Sequence, residues 1–442
     1  MKHIYDEFAY SDAPRANCWW DETCEAVERP ALDRDETCDV AIIGGGFTGL
    51  SAALHLAQAG VKVLVLESRY IGWGASGRNG GFCCLGGGRL SDQALDRKFG
   101  RDSRLAFRRA ELAAINLVDT LTKEHNIEID RHSDGETELA HRAKDMTALR
   151  ARVPEIKENY GLEATLIEKR ELADHGLSGD FHGGLTIPAG FALNPRKYVT
   201  GLAAAAEQAG AVIYHETTAQ NIVKTSSGYQ VQTKSGSVKA KNLLIATNGY
   251  SSEDLPDWMA GRYMPAQSSV IVTRPLTDEE IKAAGWFSNQ MVYDSRYLLH
   301  YFRLMPDRRM LFGMRGGLMT GPSAEKYAIA NVRRDFEQFF PAWRHVETPH
   351  SWSGMVCLSR EHMPFVGEVP DNKGMFASLC YHGNGVAMGT YCGALAAHTI
   401  LGETDKLPFP IAIKTPLTRF ELGGFRRALL PFAYLWYGLA DR

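Results

Sequence analysis

The sequence has no run of about 18 apolar residues, so no segment reads as a membrane-spanning helix. It has no concentrated block of Lys and Arg. The 49 basic residues stand against 52 acidic ones, a net charge of −3, which gives a nucleic-acid partner no electrostatic support. Cysteine is sparse, eight in 442 residues. No CxxC pair and no HExxH occurs, so neither a disulfide scaffold nor a metal site is expected. The opening Met1–Glu7 lacks the apolar core of a secretory signal, and reduced thiols and a cytoplasmic location are expected. What the chain holds in excess is glycine, 43 residues, and much of it is clustered. The hydrophobic fraction of 45% and charged fraction of 23% are those of an ordinary globular chain. The length suggests two or three domains of ~150 residues.

The first sharp pattern begins at Val40-Ala41-Ile42-Ile43, a short apolar run with the character of a buried parallel strand. Gly44-Gly45-Gly46-Phe47-Thr48-Gly49 follows and fits GxGxxG. An Ala- and Leu-rich helix runs from Leu50 to Ala59, closed by Gly60. A second strand, Val61–Leu66, ends at Glu67. In that context each glycine has a task. Gly44 allows the tight turn, Gly46 lets backbone approach a pyrophosphate, and Gly49 lets helix and strand pack closely. The helix N-terminus offers free N–H groups to phosphates, and Glu67 is placed to accept from ribose hydroxyls.

Three features favour FAD over NAD. Gly72-Trp73-Gly74-Ala75-Ser76-Gly77-Arg78-Asn79-Gly80-Gly81 lets backbone run along an extended ligand well past its ribose. Only one dinucleotide fingerprint exists in the chain. Thr247-Asn248-Gly249 ends a late buried strand, where another turn would meet the same cofactor. Further along, strands are expected over Tyr297–Leu304 and Met310–Gly313, a helix over 323–340, and a helix of small residues from Val386 to Leu401. A helical stripe of Leu429, Phe432, Leu435, Trp436 and Leu439 reads as core packing.

These segments, with Tyr297–Leu304, Trp352-Ser353-Gly354 and Tyr381-His382-Gly383-Asn384-Gly385-Val386, carry a resemblance over residues 18–442. The chain resembles the D-amino acid oxidase-like family of FAD-dependent oxidoreductases and within it is most similar to gamma-glutamylputrescine oxidases. The resemblance implies an α/β fold: a Rossmann-like, glutathione-reductase-type FAD-binding domain with an interleaved α+β substrate domain on an antiparallel sheet. The FAD-binding domain is expected over 36–95, 191–264 and 350–405, and the substrate domain over 96–190 and 265–349. Residues 1–35 form an extension anchored by Trp19-Trp20, and 406–442 a helical tail.

The resemblance also implies the placement of FAD. Glu67 and Ser68 would meet the adenosine ribose. Gly74, Ala75, Ser76, Arg78, Asn79, Gly80 and Gly81 would run under the pyrophosphate-to-flavin arm. Ala219 would meet adenine, Thr247 to Gly249 the phosphates, and Gly383 to Val386 the pyrimidine end of the flavin. A helix N-terminus after Gly385 would stabilise negative charge on the reduced ring by ~0.3–1 kcal/mol. Phe82 follows the GRNGG run and Cys357 is not placed for attachment, so non-covalent FAD is expected.

In this family a flavin takes hydride from the carbon beside a neutral amine, and the imine hydrolyses. The expected activity is therefore oxidation of a C–N bond in a small-molecule amine, gamma-glutamylputrescine-like or otherwise substituted, with oxygen reduced to hydrogen peroxide. The alternatives are an enzyme of a secondary or N-methylated amino acid passing electrons to a quinone or carrier, a flavoprotein subunit of a larger complex, and an NAD-dependent dehydrogenase. Relatives acting on simple α-amino acids often carry an Arg shortly after Trp-x-Gly, pairing with the carboxylate. Here Met355-Val356-Cys357-Leu358-Ser359 follows, without it. Arg303, two residues from Tyr301 on one strand face, is the leading substitute, with Tyr301 beside it as a substrate-binding and catalytic candidate; Arg315 and Arg78 are weaker. His382 is the candidate for deprotonating the amine or tuning the flavin, since His titrates near neutrality. His300 points away from Tyr301.

Overall fold

Apolar runs with no polar side chains to offer water must be covered on both faces. The computed structural model, which describes residues 1–317 and 319–432 with Tyr434, Trp436 and Asp441, shows how. Strand Glu36–Ile43 lies parallel between Val63–Leu66 and Ser237–Ile245. The first sheet continues outward through Val212–Tyr214 on one side, and through Met375–Leu379 and Phe365–Glu368 on the other. A hairpin of Asn221–Thr225 and Gly228–Gln232 extends it. Alternate residues divide between two cores, as strand geometry requires. Val40, Ile42, Val63 and Val65 pack under helices Phe47–Gln58, Pro195–Gln208 and Ala387–Leu401. Ala41, Ile43, Leu64 and Leu66 face the opposite cluster with Tyr229 and Val231.

The small residues of helix Ala387–Leu401 have a packing reason. A Cβ on Gly393 would stand 2.3 Å from the carbonyl oxygen of Thr48, so the helix after the late glycine turn presses directly on the helix after the early one. Each helix follows one of the mutually parallel strands of the first sheet, so both N-termini lie at the same edge of it.

The second sheet has eight strands, in the order His350–Leu358, Met264–Val272, Met310–Arg315, His300–Leu304, Met291–Asp294, Glu136–Leu139, Gly183–Ile187, Thr165–Glu168. Every pair is antiparallel except Met291–Asp294 with Glu136–Leu139. One face packs Phe302, Phe312, Phe336 and Trp343 into an aromatic core; the other turns toward the first sheet. His350–Leu358 pairs with Met264–Val272 along its whole length. The stretch 350–405, expected to side entirely with the first sheet, thus opens with a strand of the second. The strand expected from Tyr297 starts only at His300, because the N–H groups of Tyr297 and Leu298 donate to the Asp441 carboxylate instead of a neighbouring strand.

The ends differ in how they are held. Trp20 is buried and donates its indole N–H to the carbonyl of Asn79. In the tail, Phe432 and Trp436 are 74% and 67% exposed, which overturns their assignment to a packed stripe. The side chain of Leu429, and Leu435 and Leu439, lie outside the described residues.

His300 points into the aromatic side, with Nδ1 2.9 Å from Asp294 Oδ2 and Nε2 3.2 Å from Asp335 Oδ2. Burial alone would lower its pKa, but the two carboxylates outweigh burial and raise it above 6.5. The charged ring therefore adds stability that is complete below pH 6.5 and fades as pH climbs through the raised value. His300→Gln is expected to destabilise by about 1.5–3 kcal/mol at pH 5.5 and by clearly less at pH 9. Denaturant unfolding at both pH values checks this, and an equal loss at both would contradict it.

Candidate active site

The glycines of the early turn are fixed by what surrounds them. Gly44 has φ +107°, and a Cβ there would lie 2.8 Å from the carbonyl oxygen of Ala246. At Gly49 a Cβ would lie 1.9 Å from the Gly44 oxygen, so only glycine lets the helix begin against the strand end. Gly46 caps that helix with no side-chain acceptor. Of the leading N–H groups, Phe47's donates to Ser76 Oγ at 3.0 Å, and Gly45's donates to Glu67 Oε2 at 2.8 Å. The other Glu67 oxygen accepts from Arg69 N at 3.0 Å. Burial raises the Glu67 pKa against the pull of these hydrogen bonds.

A cavity of about 760 Å³ starts at this turn and is walled by both large sheets. Gly44, Gly46, Phe47, Thr48, Glu67, Ser68 and Ala219 line it, as do Gly74, Ala75, Ser76, Arg78, Asn79 and Gly80. Thr247 and Asn248 also line it, with His382, Gly383, Asn384, Gly385 and Val386. Asn79 pins the second glycine loop: its Nδ2 donates to the carbonyls of Ala75 and Ser76, and its Oδ1 accepts from Gly81 N. Asn384 ties the late turn to the segment after that loop by donating to the Leu85 carbonyl.

One long groove therefore joins a glycine-capped helix N-terminus, an acidic strand tip, a glycine-rich floor and a second glycine turn before a helix. Residues 39–399 match the family described as DAO, FAD dependent oxidoreductase. The chain belongs to this family of FAD-dependent oxidoreductases. It is 34% identical to the probable oxidoreductase OrdL of Rhizobium meliloti (strain 1021), over 96% of this chain and 97% of that one. It is 30% identical to the gamma-glutamylputrescine oxidoreductase of Escherichia coli (strain K12), over 93% and 94%. Its fold matches the crystal structure of glycine oxidase from Geobacillus kaustophilus, with a TM-score of 0.70 over 87% of this chain and all of that one, at 21% identity.

The groove fits the family's cofactor on its own geometry. At Gly44, Gly46 and Gly80 a Cβ would come within 3 Å of other protein atoms, and His382 presents a buried Nδ1 with no protein partner among the described residues. Phe47, Thr48, Glu67 and Ser68 would hold the adenosine and phosphate portion, and His382 to Val386 the far end.

Four expected site residues stand behind the wall. Gly49 packs on Gly44, Gly249 lies against the Met355 carbonyl, and Gly81 sits under the Leu193 carbonyl. The fourth, Arg303, corrects the substrate assignment. It is fully buried and donates to Gly80 O at 3.1 Å, Leu193 O at 2.8 Å and His132 Nε2 at 2.6 Å. Its guanidinium braces the glycine loop from behind, and burial lowers its pKa to about 9. Arg78 is likewise engaged, donating to the carbonyls of Trp73 and Ser353. Tyr301 does line the cavity, its ring against Gly80 and its hydroxyl 2.9 Å from Ser268 Oγ.

His382 needs a second correction. It faces the cavity, but burial first, then His362 and Arg89, lower its pKa to about 3. Its Nε2 lies 3.1 Å from Ser359 Oγ. The ring is a neutral hydrogen-bonding group and a poor base at neutral pH.

Sequence reading missed Glu136, Cys84, Tyr293 and Arg89, all on the cavity wall, and ranked Arg315 low although it lines the same space. Gly354, Ser268 and Arg315 stand directly side by side across three strands. Arg315 shares the face of Tyr301 through the register that sets Tyr301 opposite Gly313, two residues before it, and the strand expected over Met310–Gly313 stops short of it.

Proposed function

We propose that this chain is an oxidase of a C–N bond in a substituted amine of the gamma-glutamylputrescine type, using non-covalent FAD and oxygen and yielding an imine that hydrolyses to an aldehyde or ketone. One observation carries the substrate preference. The strand after Trp352-Ser353-Gly354 presents Met355, Val356 and Cys357 to the cavity, not a cation. An α-carboxylate seated against this strand would meet no cation on it; the unpaired guanidinium among the described residues, Arg315, stands two strands away beside the late turn, which suits a carboxylate remote from the reacting nitrogen. The 30% identity to a gamma-glutamylputrescine oxidoreductase over almost the whole chain supports the same choice.

Bound FAD would supply the two-electron acceptor for hydride from the carbon beside nitrogen, and pass those electrons to oxygen. The chain's own work is orientation and exclusion of water. Tyr301, Phe82 and Leu85 give the reacting space apolar walls, and the buried Tyr301 phenol stays protonated, its pKa raised by burial. Non-covalent attachment is supported by Phe82 after Gly81, and by the buried Cys357 thiol, whose Sγ lies 3.5 Å from Cys380 Sγ. The eight cysteines are unpaired as disulfides, which supports a cytoplasmic setting.

The test is direct. Purified protein should be yellow, release FAD on denaturation, bleach anaerobically with gamma-glutamylputrescine, and form hydrogen peroxide in air. Bleaching by glycine, sarcosine or another N-methyl amino acid, with acylated and plain diamines inert, would reject the substrate. Reduction of a quinone without peroxide would reject the acceptor.

A further inference from the structure

The second sheet's cavity-facing side carries two ionisable groups of opposite sign that form no ion pair among the described residues. Glu136 opens strand Glu136–Leu139, is only 4% exposed, and lines the cavity. Two residues on, on the same face, Glu138 is matched by Arg152. Glu136 has no such ion pair among the described residues; its neighbours are the Cys84 thiol and, beyond it, Tyr293, Glu138, Arg152 and Glu111. Arg315 ends strand Met310–Arg315, lines the same cavity and pairs with no carboxylate among the described residues. Its guanidinium leans on the late turn, where a Cβ on Gly383 would lie 2.4 Å from Nη2.

The register places the two far apart. Glu136 lies in a row with Met291, Arg303 and Leu311 across successive strands, and Arg315 lies four residues beyond Leu311. Three strand spacings across and four residues along put the two backbones roughly 14 Å and 13 Å apart in the two directions. The Cys84 thiol is near enough to feel both charges, Glu136 raising its pKa and Arg315 lowering it.

A carboxylate taken out of water without a partner is costly, and it is relieved only by a proton or by an arriving cation. Burial drives the Glu136 pKa up to about 8, with Arg152 offsetting only part of it. The guanidinium stays charged and asks for an anion.

We propose that Glu136 and Arg315 are the two poles of an extended substrate site, Glu136 receiving a cationic nitrogen and Arg315 a carboxylate at the other end of the same molecule. The ligand class is a long-chain amine bearing a remote carboxylate. The proposal rests on the reading of this cavity as an amine site, and deepens it.

The test uses FAD-loaded enzyme reduced beforehand and kept anaerobic, so that no probe can be oxidised, and reads ligand binding by perturbation of the reduced-flavin spectrum. The probes are 6-aminohexanoate, hexylamine and hexanoate. Glu136→Gln, close in shape to the protonated acid, should weaken 6-aminohexanoate and hexylamine roughly tenfold or more and leave hexanoate unchanged. Arg315→Met should weaken 6-aminohexanoate and hexanoate by a similar factor and leave hexylamine unchanged. Wild type should prefer 6-aminohexanoate to 4-aminobutanoate. Equal effects on all probes, no effect of Glu136→Gln, or failure of all three probes to perturb wild type would overturn the two-pole site. Turnover is not read, so this outcome is separable from that of the activity assay: peroxide from gamma-glutamylputrescine with no charge selectivity in binding sinks the poles alone.

Discussion

Gly49→Val is expected to yield a protein that is colourless and melts far below the wild type, although Gly49 does not line the cavity. The Cβ would sit 1.9 Å from the Gly44 carbonyl oxygen, 3.1 Å from its carbon and 3.2 Å from Ile42 Cγ2. Two of those three atoms are backbone, so no rotamer change relieves the clash. Either the helix lifts off the strand end or Gly44 moves. Either motion opens the turn whose N–H groups face the cavity. Overpacking a core usually costs 1–3 kcal/mol; a backbone-on-backbone clash belongs above ~3 kcal/mol. Even Gly49→Ala should lose most of its flavin. Gly60→Asn is the control, since a Cβ there meets nothing within 4 Å and Asn tolerates the positive φ of +78°. The measurements are the ratio of flavin to protein after gel filtration and the midpoint of thermal unfolding. A yellow Gly49→Val with wild-type melting would show that the close crossing is not what shapes the turn.

That glycine was legible because its constraint is local. Strand, turn, helix and acid lie within Val40 to Glu67, and each position's neighbour is close in sequence. The late turn at Gly383 to Val386 could be placed only through a resemblance, since its approach to the early helix comes from Gly393 meeting Thr48 across more than three hundred residues. Glu136 was invisible for a related reason. Glu136-Thr137-Glu138-Leu139 carries no motif and no continuous apolar run that would mark a buried strand. It is buried because Met291–Asp294 pairs beside it and the first sheet closes over it. The start of strand His300–Leu304 was misplaced because Asp441, far along the chain, captures the N–H groups of Tyr297 and Leu298. The choice between Arg303 and Arg315 shows the limit most plainly. Parity puts Arg303 on the face of Tyr301 and the strand register puts Arg315 there too, but neither says which guanidinium is already spent on carbonyl oxygens.

Arg303→Met should separate those two roles. The side chain satisfies three buried acceptors, Gly80 O, Leu193 O and His132 Nε2. Removing it strands them, at ~1–3 kcal/mol each, while methionine refills part of the volume and needs no partner. A net loss of roughly 3–5 kcal/mol is expected, with weaker flavin retention because Gly80 and Gly81 lose their brace. Arg303→Lys should recover little, since a single ammonium cannot span Gly80 O and Leu193 O as a planar fork does. The amine KM of whatever enzyme remains loaded should stay within about a factor of two of wild type, because uniform binding energy is untouched. Arg315→Met should do the reverse, shifting KM with little change in melting. Thermal unfolding and steady-state kinetics on the same preparations decide the matter. A large rise in KM for Arg303→Met with unchanged stability would return Arg303 to the substrate, and would mean that the carbonyls behind the glycine loop have another donor.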